Sequence, residues 1–352
     1  MPDISKQLEA QVIAAKNNKT LLNIVGGGSK AFIGRDAIGE PLHVGSHTGI
    51  VSYQPVELVL TARAGTRLTA IESALDEQGQ MLAFEPPHLG DTDTLGGTLA
   101  CNLSGPSRPW GGSVRDHVLG IRLINGRGEH LRFGGQVMKN VAGYDVSRLQ
   151  AGAMGTLGVM TEISLKVLPK PAYSVTISQK MSADDAILLM NERAGIAKPL
   201  TAACWMNGIL YLRLAGAKSA VEATLQQWGG TQLDEADHFW RSVRDQRATF
   251  FDHTEKLWRF SIKPTVTLSL AAEQQLIDWG GAQRWYRGEV SLDAMQAVAA
   301  EAGGQVSLFK GGDRQADVFH DQADALKRIQ VRLKKSFDPS GIFNSGRLYS
   351  WL

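Results

Sequence analysis

The sequence predicts an α+β chain of two domains, the first organised around glycine loops. Three observations carry this. The chain has 352 residues, more than one ordinary core supports. Strand-like alternation and short amphipathic helical patterns are interleaved in both halves. Glycine, at 38 residues, is unevenly spread: the stretch from Gly26 to Gly158 is punctuated by GGG, GG, GRG and GTLG, and the remainder is ordinary.

In chain order, 8–18 reads as an amphipathic helix and 21–25 as a buried strand ending in VGGGSK. LHVGS at 42–46 and LVLTARAG at 58–65 read as strands. TRLTAIESALDEQG at 66–79 places Leu68, Ile71, Ala74 and Leu75 on one helical face and stops at Gly79. QMLAF is then a strand halted by Pro86-Pro87, and 93–120 is largely loop. LGIRLINGRGEHLRF at 119–133 is a hairpin turning at Asn125-Gly126, residues that favour the positive φ of tight turns. In LGVMTEISLKVLP, Val159, Thr161, Ile163, Leu165 and Val167 face one way, and Glu162, Ser164 and Lys166 the other. Pro169 and Pro171 end that strand, which places a domain boundary near residue 171. Beyond it, 173–180, ILYLRL at 209–214, WRFSIKP and LIDWGGAQRWYRG supply strands. About 182–194, about 217–228 and SLDAMQAVAAEAGG supply helices. The chain closes on a turn-rich tail, DPSGIFNSGRLYSWL. The expected units are 1–171, 172–335 and a tail, 336–352, that returns to the first domain.

Composition excludes several classes. Net charge is +2, with acidic and basic residues interspersed, so nothing points to nucleic acid. The one basic cluster, KRIQVRLKK at 327–335, reads as the solvated face of an amphipathic helix. Two distant cysteines, Cys101 and Cys204, cannot build an iron–sulfur cluster or a thiolate zinc site, and a reducing cytoplasm is the expected compartment. The N-terminus lacks the apolar core of a signal peptide, and no run reaches the roughly 18 apolar residues of a membrane span. His43 and His47 are four apart, but Gly45 and Ser46 between them argue against a helical metal pair, so no metal is expected.

Three consecutive glycines are entropically costly, and three phosphate-binding readings compete for VGGGSK. A P-loop fails on spacing. Gly26, Gly28 and Ala31 satisfy a G-x-G-x-x-A pattern literally. However, AFIGRDAIGEP is a poor helix, and no acidic residue follows at the distance a dinucleotide fold requires. The third reading is a nest, in which successive backbone N–H groups surround a pyrophosphate. Taken alone, the loop could equally be a tight structural turn. Two further glycine clusters, TLGG at 94–97 and GTLG at 155–158, favour a large ligand held between lobes.

VGGGSK, DTLGGTLACNLSGP and GAMGTLGVMTEISLKVLP, in this order, resemble the PCMH-type FAD-binding domain of vanillyl-alcohol-oxidase-type flavoproteins. VMKNVAGYDVSRL at 137–149 and the terminal DPSGIFNSGRL fit as well. The resemblance implies a two-lobed FAD domain with a smaller α+β cap. Within the family, SKAFIGR, EPPHLGDTDTLGG, GPSRPWGGSVRDHVLG and LIDWGGAQRW are most similar to the FAD-binding subunits of bacterial glycolate oxidases. By that resemblance Gly26, Gly27, Gly28, Ser29 and Lys30 form a first pyrophosphate loop. Pro87, Gly90, Thr94, Gly96 and Gly97 form a second. Asn102, Ser104 and Gly105 lie along the ribityl and isoalloxazine approach, and Asp116, Gly155, Gly158 and Val159 near the adenine.

Departures from the family pattern are informative. Ser29 stands where many members attach FAD through histidine, so non-covalent FAD is expected. The G-E-H-G metal and substrate motif of the larger 2-hydroxy-acid dehydrogenases is absent. Oxidation of a small 2-hydroxy acid needs a cation for the carboxylate and a base for the hydroxyl. Arg108, Arg347, Lys139 and Tyr144 are the candidates, with Arg115 also near. Arg115 could instead pair with Asp116, and Trp110, Trp279 and Trp285 read as core or wall. The resemblance implies a larger FAD-containing subunit and an iron–sulfur subunit as partners, with any membrane association through them. It leaves three roles: a redox subunit in glycolate oxidation, a scaffold that holds FAD, or a stand-alone oxidase of another hydroxy acid.

Overall fold

A computed structural model describes residues 3–135 and 145–352. Its first lobe is a five-stranded antiparallel sheet in the order Ile50–Gln54, Val59–Arg63, Val159–Lys166, Val118–Ile124 and His130–Gly134. The central strand, Val159–Lys166, buries Val159, Thr161, Ile163 and Leu165 on one face and Met160 and Ser164 on the other, where Glu162 and Lys166 are half-buried. Its buried Ser164 hydroxyl is satisfied by Thr61 Oγ1 at 2.8 Å. Helices Ser5–Asn18 and Leu68–Asp76 bring Leu8, Val12, Leu68, Ile71 and Leu75 into the core of Leu60, Ile121 and Ile163.

Beside this sheet, Leu22–Val25 pairs in parallel with Glu40–His43. The C-terminal tail lies along the same strand. Leu22 N–H donates to Ile342 O at 2.7 Å, and Asn344 N–H donates to Leu22 O at 2.9 Å. The VGGGSK loop leaves the end of this strand.

The second lobe is an eight-stranded sheet whose neighbouring strands are all antiparallel. Its order is Thr231–Gln232, Tyr173–Lys180, Ile209–Gly216, Leu200–Met206, Gln275–Asp278, Gln283–Arg287, Leu257–Ser261 and Gln305–Lys310. Period-2 alternation sorts its residues. Ala203 and Trp205 pack against helices 183–194 and 218–228 through Ile187, Met190 and Val221. Trp258 and Phe260 pack against Met295 and Ala299 of helix 292–301. The alternate residues Ala202, Cys204, Leu257 and Trp285 face Ile33, Leu103 and Met154 of the first lobe. Arg259, between Trp258 and Phe260, is therefore turned toward that lobe.

Several expectations are corrected. Only Gln80–Met81 of QMLAF is strand, paired to Leu168–Pro169; the chain then turns into the core, where Leu82 and Phe84 are buried. The 93–120 stretch holds three short helices, Leu95–Cys101, Arg108–Gly111 and Val114–His117, too short to show a period. The hairpin turn is wider than Asn125-Gly126. Asn125 Oδ1 accepts from the N–H groups of Arg127 and Glu129, and the positive φ falls on Gly128. Gly126 is needed instead for close approach, since a Cβ there would lie 2.5 Å from Asp338 Oδ1. The basic cluster lies on helix Asp324–Phe337 but is not wholly solvated. Lys334 turns inward, donating to Thr156 O and pairing with Asp338, both at 2.8 Å. No described helix is long and apolar enough to cross a membrane.

Candidate functional site

The VGGGSK loop lines a cavity of about 170 Å³ between the two strand systems of the first lobe. Gly26, Gly27, Gly28, Ser29, Lys30, Thr94, Gly96, Gly97, Gly155, Gly158 and Arg347 all contribute to its wall. The first loop is packed so tightly that a Cβ on Gly27 would stand 1.6 Å from Thr92 O. Gly28 has φ +78° and open space where a side chain would project, so its requirement is conformational. No described residue accepts a hydrogen bond from the N–H groups of Gly27, Gly28, Ser29 or Lys30. Four successive donors with no described acceptor, on residues that line the cavity, and Arg67 Nη1, buried and unpartnered 2.9 Å from the Gly27 Cβ position, fit an anionic pyrophosphate. The second loop contributes differently. Gly96 N–H donates to Ala64 O at 2.8 Å and Gly97 N–H to Thr94 Oγ1 at 3.2 Å, so these glycines give the wall its shape and keep their donors inside the protein.

The two loops are joined by Asp93, which the sequence reading did not single out. Its carboxylate accepts from Lys30 Nζ, from Ser29 Oγ and, at 2.7 Å, from Leu89 N–H. Burial alone would raise its pKa, but hydrogen bonds from Lys30 and Ser29, the Lys30 charge and the Gly90 N–H hold it below the usual carboxylate range. Ser29 and Lys30 are thus spent on Asp93. Arg347 is spent on the same loop: it donates to Ala31 O at 2.8 Å and to Arg35 O, clamping the turn after the glycines. Asn344 braces the opposite wall, accepting from Ile24 N–H and donating to Met154 O, both at 2.7 Å.

A second cleft, enclosing about 400 Å³ as cavity volume, lies between the lobes and shares Cys101 and Met154 with the first. Arg108 and Arg259 line it, their guanidinium carbons 4.5 and 5.2 Å from the Trp279 ring centroid. Asn102 lines it too, with a buried and unpartnered Oδ1. Among the described residues no carboxylate lines this cleft. Burial, with Arg108 nearby, pushes the Arg259 guanidinium down to about 10. Trp279, read from sequence as wall, also ties the lobes together by donating Nε1–H to Gly105 O at 2.9 Å.

The remaining expected residues are dispersed. Pro87, Ser104 and Gly105 line a narrow gap between the lobes, beside Arg259. Gly90, Asp116 and Val159 line none of these spaces. Gly90 N–H serves Asp93, and the Asp116 carboxylate is a helix cap, accepting from Ser113 N–H at 2.8 Å. Val159 is fully buried in the first core. Lys139 and Tyr144 lie outside the described residues. Arg259 carried no motif; only its alternation between Trp258 and Phe260 could have marked it as facing the first lobe. Among the described residues no group of His, Cys, Asp or Glu could hold a metal.

Residues 1–134 match the family model described as an FAD binding domain. Over 350 residues the chain is 45% identical to the glycolate oxidase subunit GlcE of Escherichia coli strain K12, covering 99% of both chains. It belongs to the GlcE family. The GlcE-family chain also shares 32% identity over 128 residues with the glycolate oxidase subunit GlcD of Bacillus subtilis strain 168, covering 36% of its own length and 27% of that protein. Among solved structures, alkyldihydroxyacetonephosphate synthase superposes with a TM-score of 0.68 at 15% identity, over 97% of this chain and 74% of that one, which shows the shared fold. The cofactor of the GlcE-family chain is FAD, and the cavity, with four N–H donors that have no acceptor among the described residues, fits that cofactor's pyrophosphate.

Proposed function

We infer that this chain is the FAD-binding subunit of a glycolate oxidase complex and takes part in converting glycolate to glyoxylate. The relative named as a glycolate oxidase subunit, matched end to end, supports the assignment. The partners proposed from it are a larger flavin subunit and an iron–sulfur subunit. The observation that carries a role with substrate is the interlobe cleft, with Arg108 and Arg259, no carboxylate among its described residues, and a wall shared with the cofactor cavity. Such a cleft suits a small carboxylate. FAD supplies a two-electron acceptor; loss of two protons and two electrons turns the glycolate alcohol into the aldehyde. Ser29, engaged with Asp93, offers no histidine for a covalent link, so the cofactor is held non-covalently.

A second reading is favoured by one feature of the cleft. His320 lines the cleft, but its Nδ1 accepts from Val306 N–H at 3.4 Å, which leaves its other ring nitrogen carrying the proton rather than free to accept one. With no proton acceptor among the described cleft residues, substrate oxidation would fall to the larger flavin subunit and this chain would relay electrons.

Anaerobic mixing of the flavin-loaded chain with excess glycolate separates the two. Bleaching of its visible absorbance at a catalytic rate supports oxidation on this chain. Flavin that stays oxidised alone but is reduced within the complete complex supports the relay. A purified chain that holds no flavin under any condition would overturn both.

A further inference from the structure

The LIDWGGAQRW stretch is not explained by cofactor binding: none of its residues lines the FAD cavity. It folds as a strand, a tight turn and a strand. Trp279 and Gly280 take φ of +54° and +62°, and Gly281 follows with φ +103°. A β-carbon on Gly281 would meet Pro264 O at 2.3 Å. The turn brings Asp278 and Gln283, both almost fully buried, to the Arg259 side of the sheet. Asp278 Oδ1 accepts from Trp279 N–H at 2.7 Å, and Asp278 Oδ2 accepts from Gln283 Nε2 at 3.4 Å. Gln283 Oε1 accepts from Arg259 Nε–H at 2.7 Å.

We propose that Gln283, oriented by Asp278, is the positioning residue that aims the Arg259 guanidinium into the interlobe cleft for a substrate carboxylate. This rests on the reading of that cleft as a carboxylate site. The chemistry favours an amide. A carboxylate at 283 would pair with Arg259 and cancel the charge that recruits an anion, whereas a neutral carbonyl fixes Nε–H and leaves the charge available. An amide alone is ambiguous, because its O and NH2 ends have nearly the same shape. An ionised Asp278 removes the ambiguity: it accepts only, so it draws the NH2 end and leaves the oxygen for Arg259.

The relay is then sensitive to pH. Burial raises the Asp278 carboxyl to about 7, and Glu85 adds to this; the Trp279 N–H, Arg213 and Gln283 act the other way. Glu85 and Arg213 are themselves paired at 2.7 Å. The Cys204 thiol, its own pKa raised well above the usual value first by burial and then by Asp278, and the Arg259 and Arg244 cations complete the charged surroundings. Above neutral pH the carboxylate holds Gln283. Below it, a protonated Oδ2 becomes a donor, competes for Gln283 Oε1 and releases Arg259.

Calorimetric titration of the full flavin-loaded chain with glycolate tests this, at about pH 6 and about pH 8. The expected result is about tenfold weaker binding at the lower pH, the ratio of ionised Asp278 across two units centred on its pKa. Asp278→Asn should bind weakly and equally at both, and Gln283→Leu should match it. Gln283→Glu should bind more weakly still. Flavin content should be unchanged in all three, because neither residue lines the FAD cavity. If Asp278→Asn does not fold, the wild-type pH dependence and Gln283→Leu decide. Wild-type binding that is equal at both pH values, or a Gln283→Leu chain that binds like wild type, would overturn the relay. Absence of glycolate binding by wild type at either pH would overturn the cleft reading itself, a separate outcome.

Discussion

Lys30 and Asp93, 63 positions apart, form a buried ion pair that fastens the first glycine loop to the segment leading into the second. Asp93→Asn leaves Lys30 buried without its counter-charge, and breaking such a pair costs about 3–5 kcal/mol. The expected outcome is a lowered melting temperature together with loss of flavin on gel filtration. In the wild type the depressed Asp93 pKa adds stability that is complete above the unfolded carboxylate value of about 3.9 and disappears as pH falls through the lower folded value. Flavin release in acid titration should therefore begin below about pH 4 and be displaced in the variant.

Gly27 and Gly28 should fail for different reasons. Gly27→Ala drives a β-carbon into the Thr92 carbonyl, so the loop must move and flavin content should fall to background. Gly28→Ala meets no atom but must hold a left-handed conformation, costing about 1–2 kcal/mol. It should retain flavin with an affinity about tenfold lower, measured by fluorescence on reconstitution.

Arg347 lines the cofactor cavity, but its donors serve Ala31 O and Arg35 O. Arg347→Ala should loosen flavin binding while leaving the glycolate KM of reconstituted complex near wild type. A raised KM with unchanged flavin affinity would instead place Arg347 on the substrate.

Arg108→Ala and Arg259→Ala should show the reverse pattern in the complete complex: normal flavin content and a higher KM. Loss of one charge-assisted hydrogen bond, about 1.5–3 kcal/mol, corresponds to roughly 10–150-fold. Arg259→Lys should not restore the wild-type value, because lysine lacks the Nε–H that Gln283 accepts.

Acid precipitation should free the flavin into the supernatant, since position 29 carries a serine bonded to Asp93. Flavin that stays with the precipitate would contradict the non-covalent reading.

The parts of the fold legible in the sequence were those written as a period or as punctuation. The strand at Val159–Lys166, the helices at 68–76 and 183–194 and the glycine loop itself belong there. The short helices of 93–120 were hidden, because a helix of one or two turns has no face to repeat and is defined by caps such as Thr94 and the Ser113–Asp116 pair. The cavity walls at 26–30, 94–97 and 155–158 were legible because close backbone approach demands glycine. The struts behind them were not. Asp93 and Asn344 are single polar residues whose partners are fixed only by tertiary contacts. Arg259 and Gln283 likewise acquire meaning only when strands 257–261 and 283–287 are paired.

Asn344 reaches Ile24 across 320 positions, and the segment beside it completes the edge of the first strand. That geometry sets a clock on assembly. A ribosome adding about 5–20 residues per second would finish the glycine loop roughly 15–65 s before the brace that fixes it emerges. Until then the apolar edge of Leu22–Val25 has no C-terminal neighbour, and the loop no rigid back wall. Cofactor capture should therefore be a late, nearly post-synthetic event. A chain shortened by about ten residues would carry every glycine of the cofactor loops and still come off the ribosome empty, marked for degradation by what it fails to close.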